Sequence, residues 1–236
     1  MTLWSPVCLV LCTQFWRRVN QSGGVFCYNL GMDIQIIFLV GIGLFSLSSL
    51  YFLLAHKKAF NSAFLVSFIT IISYLLMYEG SLATVGANDG TVYATRWLFY
   101  ALSCTLLMYE IGRVLGKTQK ETVFLLYLTA IVMTTGAAAA YFTDGFMYVF
   151  FAVSTAAYVL LLYPLLTALS PHRAAVAKYI VFGWTGFPIA FLLAPDGFGL
   201  ITAAWAAVAY LTFDLFTKVV FYLDLNRYMR DTTAVK

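Results

Sequence analysis

LITAAWAAVAYLTFDLFTKVVFYLDL, residues 200–225, decides how the rest of the chain is read. Its apolar stretch, Ile201 to Leu223, is long enough to cross a bilayer as a helix, because about 20 residues span a hydrocarbon layer of roughly 30 Å. Asp214 and Lys218 interrupt it four residues apart, which puts a carboxylate and an ammonium on one helical face. A charge inside a spanning helix costs roughly 2.5–3.5 kcal/mol even on lenient insertion scales, so such groups usually pair and usually carry function. The plain structural alternative is a buried Lys–Asp pair that locks helices together or snorkels to an interface. Lys218 stands too far from the helix end at Arg227 to reach water easily, which favours a chemical role. A buried amine of this kind can join an aldehyde as a Schiff base, with Asp214 balancing its charge.

Composition excludes an ordinary soluble domain: 62% of residues are hydrophobic and 10% charged, and the mean hydropathy is +0.87. Apolar segments recur at 34–55, 59–78, 92–115, 122–142, 146–168, 176–194 and 201–223. The fold class expected is therefore an all-α membrane protein, a bundle of seven transmembrane helices in one domain. The ends joining spans 1–2, 3–4 and 5–6, together with the C-terminus, hold Lys57, Lys58, Arg113, Lys117, Lys120, Arg173, Lys178, Arg227, Arg230 and Lys236. The opposite ends hold Asp33, Glu79, Asp89, Asp144 and Asp196, with Arg96 inside span 3. This asymmetry predicts a cytoplasmic C-terminus and an N-terminus outside. It also accounts for the net charge of +4 without a nucleic-acid partner.

Residues 1–31 do not fit the pattern. Thr2 to Trp16 is too short and mixed to span, and Arg17 and Arg18 lie on the wrong side for the charge rule. The expectation is a dispensable leader or extension over 1–31, followed by the seven-helix domain at 32–236. Cys8, Cys12 and Cys27 fall in that segment without metal-ligand spacing, so neither a disulfide framework nor a metal site is read. Asn20-Gln21-Ser22 matches a glycosylation acceptor too short to carry weight.

Span 3, VYATRWLFYALSCTLLMYEIGRVLG, carries Arg96, Phe99, Ser103 and Glu110 at spacings of 3, 4 and 7, on one face at successive depths. An internal polar pathway is one reading. The other makes Arg96 an interfacial snorkeller and Glu110 a helix-end charge paired with Arg113. In span 2, Tyr74 is a phenol able to bond a buried carboxylate, or a packing residue. Span 4 is rich in small residues (TAIVMTTGAAAAY), which permit close approach of a helix or ligand. Phe150, Phe151, Ser154, Thr155 and Tyr158 in span 5, with WTGFP (184–188) in span 6, suit packing or a slot for a flat conjugated ligand. Pro188 removes a backbone donor and favours a kink beside Trp184 and Phe187.

Taken together these residues resemble the microbial (type I) rhodopsins, bacteriorhodopsin-like members above all, over about residues 33–230. FDLFTKVVF is similar to the family's Asp-x-x-x-Lys attachment motif, WTGFP to its sixth-helix motif, and STAA (154–157) to its fifth-helix run. The resemblance implies all-trans retinal as cofactor, bound as a Schiff base to Lys218 and isomerised by light. Asp214 would be a counterion, with Arg96 below it and holding it. Trp184, Phe187, Pro188, Tyr100, Ser103, Cys104, Phe151, Ser154, Thr155, Tyr158 and Tyr210 would surround the chromophore. Arg96, Phe99, Ser103, Glu110, Tyr74 and Asp196 would mark an ion pathway, and opening near helix six would be the response to light.

The departures matter as much. Phe99 stands where the family's primary counterion, normally Asp, would be. Tyr100 replaces the tryptophan that follows it, Thr105 a proline, and Glu110 occupies the position of the inner proton donor. The leading expectation is a photoreceptor with a sensory or weakly transporting role. The alternative is a light-driven transporter of protons, inward through Glu110, or of anions; a non-photochemical retinal carrier ranks last. No hydrolase or transferase constellation is present: His56 and His172 stand at helix ends, and the chain is not read as an enzyme. Membrane lipids and retinal are the expected partners at the cell membrane, with a homo-oligomer and a transducer protein left open.

Overall fold

In hydrocarbon every backbone polar group must find its partner within the protein, so long apolar runs fold as helices. The computed structural model describes residues 26–55, 60–85, 91–142, 145–168 and 173–225, with side chains from residue 34 onward except at 60, 173 and 175. Among them seven helical rods follow in order. The first five are α1 (Phe26–Leu54), α2 (Phe60–Tyr78), α3 (Ala94–Val114), α4 (Gln119–Tyr141) and α5 (Phe146–Leu166). The sixth, α6, is composite: Arg173–Lys178, a π-helical turn over Tyr179–Trp184, then Thr185–Leu193. The seventh, α7, runs through Ala203–Leu215 and a second π turn, Phe216–Val220, before continuing as α-helix to residue 225. Successive rods pack side by side, and α1 closes the ring against α7.

Six of these rods are long and apolar enough to cross a membrane. The exception is α3, whose 21 residues carry Arg96, Glu110 and Arg113. Its charges belong to the inside of the bundle and to one end of it, which is why its average polarity does not read as a span. Leucines and aromatics such as Leu47 and Tyr163 face outward and are largely exposed, as a lipid-facing surface requires.

Local chemistry sets the ends of the rods. Helix α4 starts at Gln119, ahead of the apolar run at 122, because Thr118 and Glu121 form a reciprocal capping box. The loop between α2 and α3 is a hairpin: β1 (Ala83–Val85) pairs antiparallel with β2 (Thr91–Tyr93), Thr84 opposite Val92. Gly80 at φ 68° allows the chain to leave α2 sharply, and Val92 is the buried residue of β2. Helix α1 begins at Phe26, ahead of Met32. Lys57, Lys58, Asp89, Asp144, both histidines, the residues beyond 225 and most of segment 1–31 lie outside the described residues.

Candidate functional site

Asp214 and Lys218 sit one turn apart on α7, and both are buried, at 0% and 2% exposure. Asp214 Oδ1 lies 2.7 Å from Lys218 Nζ. The opposite oxygen, Oδ2, accepts hydrogen bonds from Tyr74 on α2 at 3.1 Å and Tyr100 on α3 at 2.9 Å. Three helices therefore converge on one carboxylate. Lys218 Nζ also lies 4.3 Å from the centre of the Tyr100 ring, whose π face favours a cation. The π turn Phe216–Val220 surrounds Lys218, a local widening of the kind often found at functional sites.

Lys218 opens into a cavity of about 490 Å³ that runs among α3, α4, α5, α6 and α7. That volume falls within the roughly 300–1,000 Å³ usual for small-molecule sites. Trp184, Phe187 and Pro188 form its α6 wall; Phe151, Ser154, Thr155 and Tyr158 form its α5 wall. Tyr100 and Cys104 come from α3, and Tyr210 joins Asp214 and Lys218 from α7. Of the residues expected around a chromophore, Ser103 is the one off the wall: it is buried, with its hydroxyl turned to the Tyr100 carbonyl at 3.4 Å. Trp97, Val132, Met133, Gly136, Leu162, Phe191 and Thr217 also line the cavity and were not anticipated. Gly136 had a signal in the small-residue run of span 4. A Cβ there would meet the Trp97 ring at 2.8 Å, so glycine lets that ring lie against α4.

The expectation that Arg96 holds Asp214 is corrected. The near partners of Asp214 are the two phenols and Lys218, whereas the Arg96 guanidinium lies over the Tyr210 ring, 4.2 Å from its centre. Arg96 instead connects the main cavity to a smaller pocket that contains Tyr93 and Asp196. Burial pushes the Asp196 carboxyl up to about 6 against the opposing pull of Arg96, and burial also raises the Tyr93 phenol. Phe99 is half-buried and lies off the cavity wall.

At the other end of α3, Glu110 meets Arg113 Nη1 at 3.2 Å, the pairing that the helix-end alternative anticipated. The Glu110 side chain is 14% exposed and that of Arg113 63%, so the pair stands at the boundary with solvent. Leu107, Met108 and Ile111 pack the space around that end of α3 with apolar atoms. No cluster of three or more metal-ligating side chains occurs among the described residues.

The donor set thus fits a lysine-linked conjugated aldehyde. One buried amine opens into a long, mainly apolar slot, one carboxylate balances it, and aromatic rings flank the slot. The bacteriorhodopsin-like protein family matches residues 32–230. The chain belongs to that family. It is 28% identical over 212 residues to bacteriorhodopsin of Haloterrigena sp. (strain arg-4), covering 82% of each chain. It is 28% identical over 167 residues to sensory rhodopsin-2 of Natronomonas pharaonis, covering 66% of this chain and 70% of that one. Among solved structures, schizorhodopsin 4 is 36% identical with a TM-score of 0.77, covering 81% of this chain and 97% of that one. As a member of this rhodopsin family the chain is an integral, multi-pass membrane protein with retinal, carried on a lysine as a Schiff base, as its cofactor. It is a light-absorbing photoreceptor or ion transporter.

Proposed function

We propose that this rhodopsin uses Lys218 as its attachment residue and moves protons inward in the light. Lys218 is the buried lysine among the described residues, which supports its assignment. The observation that carries the direction is the contrast between the two ends of α3. At one end Phe99 stands where a carboxylate would take up a proton, and Asp214 is already engaged by two phenols and the ammonium. At the other end Glu110 is a solvent-touching carboxylate paired with Arg113, placed between the cavity side of α3 and the solvent where it can pass a proton out of the bundle. The basic residues of that end put it on the cytoplasmic side by the charge rule, with the C-terminus inside and the N-terminus outside.

Retinal, when bound, supplies the light-driven isomerisation that changes the surroundings of Lys218 Nζ. The residues of the chain do the rest. Tyr74, Tyr100 and Asp214 hold the positive charge at Nζ in the dark. The proton at Nζ leaves toward Glu110, and Arg96, Tyr210 and Asp196 form the outer route by which Nζ regains one. No catalytic chemistry is assigned to the chain.

A sensory role is the second reading, favoured by the likeness to sensory rhodopsin-2 and requiring a transducer partner. Illuminating unbuffered cells separates the readings. External alkalinisation abolished by a protonophore supports inward proton movement. Alkalinisation that a protonophore enhances indicates anion uptake, acidification overturns the proposal, and an unchanged pH leaves the sensory reading standing.

A further inference from the structure

Tyr222 stands on α7 four residues beyond Lys218, about 6 Å further toward the end of the bundle that holds Glu110. It is 0% exposed and packs in the same core cluster as Leu107 and Met108 of α3. Phe52 and Phe221 close on its ring, with centroids 6.2 and 5.2 Å away. The hydroxyl at the tip of that ring has no hydrogen-bond partner, alone among the buried phenols of the described residues. Tyr74, Tyr100, Tyr158 and Tyr179, by contrast, each donate to an oxygen of a neighbouring helix.

An unsatisfied donor away from water costs free energy, so a native structure that keeps one needs a reason for it. Packing is not that reason, because phenylalanine would fill the same space without the cost. The polar side chains that face the hydroxyl are Ser62 of α2 and Glu110 of α3, and neither is bonded to it. Glu110 is turned instead to Arg113, whose Nη1 donates to its two carboxylate oxygens at 3.2 and 3.3 Å. That attraction depends on the negative charge of Glu110. A proton on the carboxyl removes the charge, and the exposed guanidinium keeps its water when the pair parts.

We propose that Tyr222 is a positioning residue for Glu110: its free hydroxyl receives the carboxyl once Glu110 has taken up a proton. Glu110 then has two stations, an outer one as an anion on Arg113 and an inner one as a neutral acid on Tyr222. No covalent bond changes at Tyr222, whose hydroxyl donates to the C=O oxygen of the acid. The proton on Glu110 is the one that left Lys218 Nζ, and return to Arg113 releases it to water. The inner station also shortens the apolar stretch of Leu107 and Met108 that parts Glu110 from the cavity. The inference rests on the reading of Glu110 as the proton acceptor.

Time-resolved infrared difference spectroscopy of the full, retinal-loaded protein in lipid tests it. The carboxylic C=O band that Glu110 gains in the light is identified by its loss in Glu110→Gln. Tyr222→Phe should move that band to higher frequency, as loss of a hydrogen bond to a C=O does. It should also reduce the accumulation of protonated Glu110 about threefold, the equilibrium worth of an average hydrogen bond between membrane helices. In the dark the same variant should melt no lower than wild type, since the hydroxyl it loses has no partner. Wild type carrying ring-labelled tyrosine should show a tyrosine band that rises and falls with the Glu110 band. A Glu110 band unmoved in position and size in Tyr222→Phe overturns the inference and leaves Glu110 as acceptor. Absence of the band in wild type overturns both. A lower dark melting temperature in Tyr222→Phe overturns the two stations, because the hydroxyl would then be bonded before light arrives.

Discussion

Tyr100 on α3 and Tyr74 on α2 donate to the same oxygen, Oδ2 of Asp214. Two donors on one acceptor are coupled, so their removal should not be additive. Tyr74→Phe and Tyr100→Phe should each lower stability by about 0.6–1.7 kcal/mol, the range for hydrogen bonds between membrane helices. The double variant should cost measurably more or less than the sum. Thermal bleaching of the four proteins in one detergent gives the cycle directly, and strict additivity would show that the two phenols do not share the carboxylate.

Lys218 and Asp214 balance one another where neither reaches water. Lys218→Ala removes the amine and should abolish visible pigment, while borohydride reduction of wild type should leave retinyl mass on the peptide containing Lys218. Asp214→Asn keeps the shape and deletes the charge. An opposite charge at this range commonly moves a titration by about 1–3 units. The pH at which the variant loses its visible colour should therefore fall by about that much, and an unmoved midpoint would assign the counterion to another group.

The arrangement around this pair was legible because membrane burial leaves few reasons for a charge. Asp214, Lys218 and the aromatic α6 motif stood out against apolar surroundings, and the seven segments followed from length alone. Trp97 and Gly136 were harder to foresee because their roles depend on how α3 and α4 face each other, a contact between segments that each look uniformly apolar. Arg96 pointed to the carboxylate by depth but took the Tyr210 ring, since the phenols of Tyr74 and Tyr100 already occupy the free oxygen. The π turns left no mark in the residue pattern: a single widened turn shifts register by one residue, and the apolar faces of α6 and α7 are broad enough to hide it.

Starting the chain at Met32 should leave the pigment intact. The apolar span Ile34–Leu54 holds 21 residues, about 31 Å at the usual rise per residue, enough for a hydrocarbon core of about 30 Å. The absorption spectrum and melting temperature of such a protein should match those of the full chain. Loss of colour would show that α1 needs its Phe26–Gly31 turns to insert or pack.

Asp196 gives a pH signature. Its carboxyl is raised to about 6 by burial, so it is neutral below that pH and anionic above it. Above the midpoint the new negative charge offsets Arg96 and better stabilises a positive charge at Lys218 Nζ in the dark. The absorption band should move to shorter wavelength as pH rises through about 6. Asp196→Asn should remove that step and leave any others in place; persistence of the step would assign it elsewhere.

Glu110 decides between a surface ion pair and a proton acceptor. An exposed pair three residues apart on a helix is worth only about 0.3–0.5 kcal/mol. If that is its whole role, Glu110→Gln should shift melting by a degree or so and leave light-driven alkalinisation unchanged. As an acceptor it must draw a proton across the apolar packing of Leu107 and Met108, a little under two turns of α3, about 9 Å, from Cys104 on the cavity wall. Removing general-base assistance commonly costs about 10²–10⁴-fold in rate. Glu110→Gln should then reduce inward proton movement by at least about tenfold, even if water takes over part of the task. Glu110→Asp should retain much of the activity, and Arg113→Gln should retain acceptance while losing the ion pair. Flash-induced pH changes read with an indicator dye rank the three variants, and equal rates in all of them would remove Glu110 from the pathway.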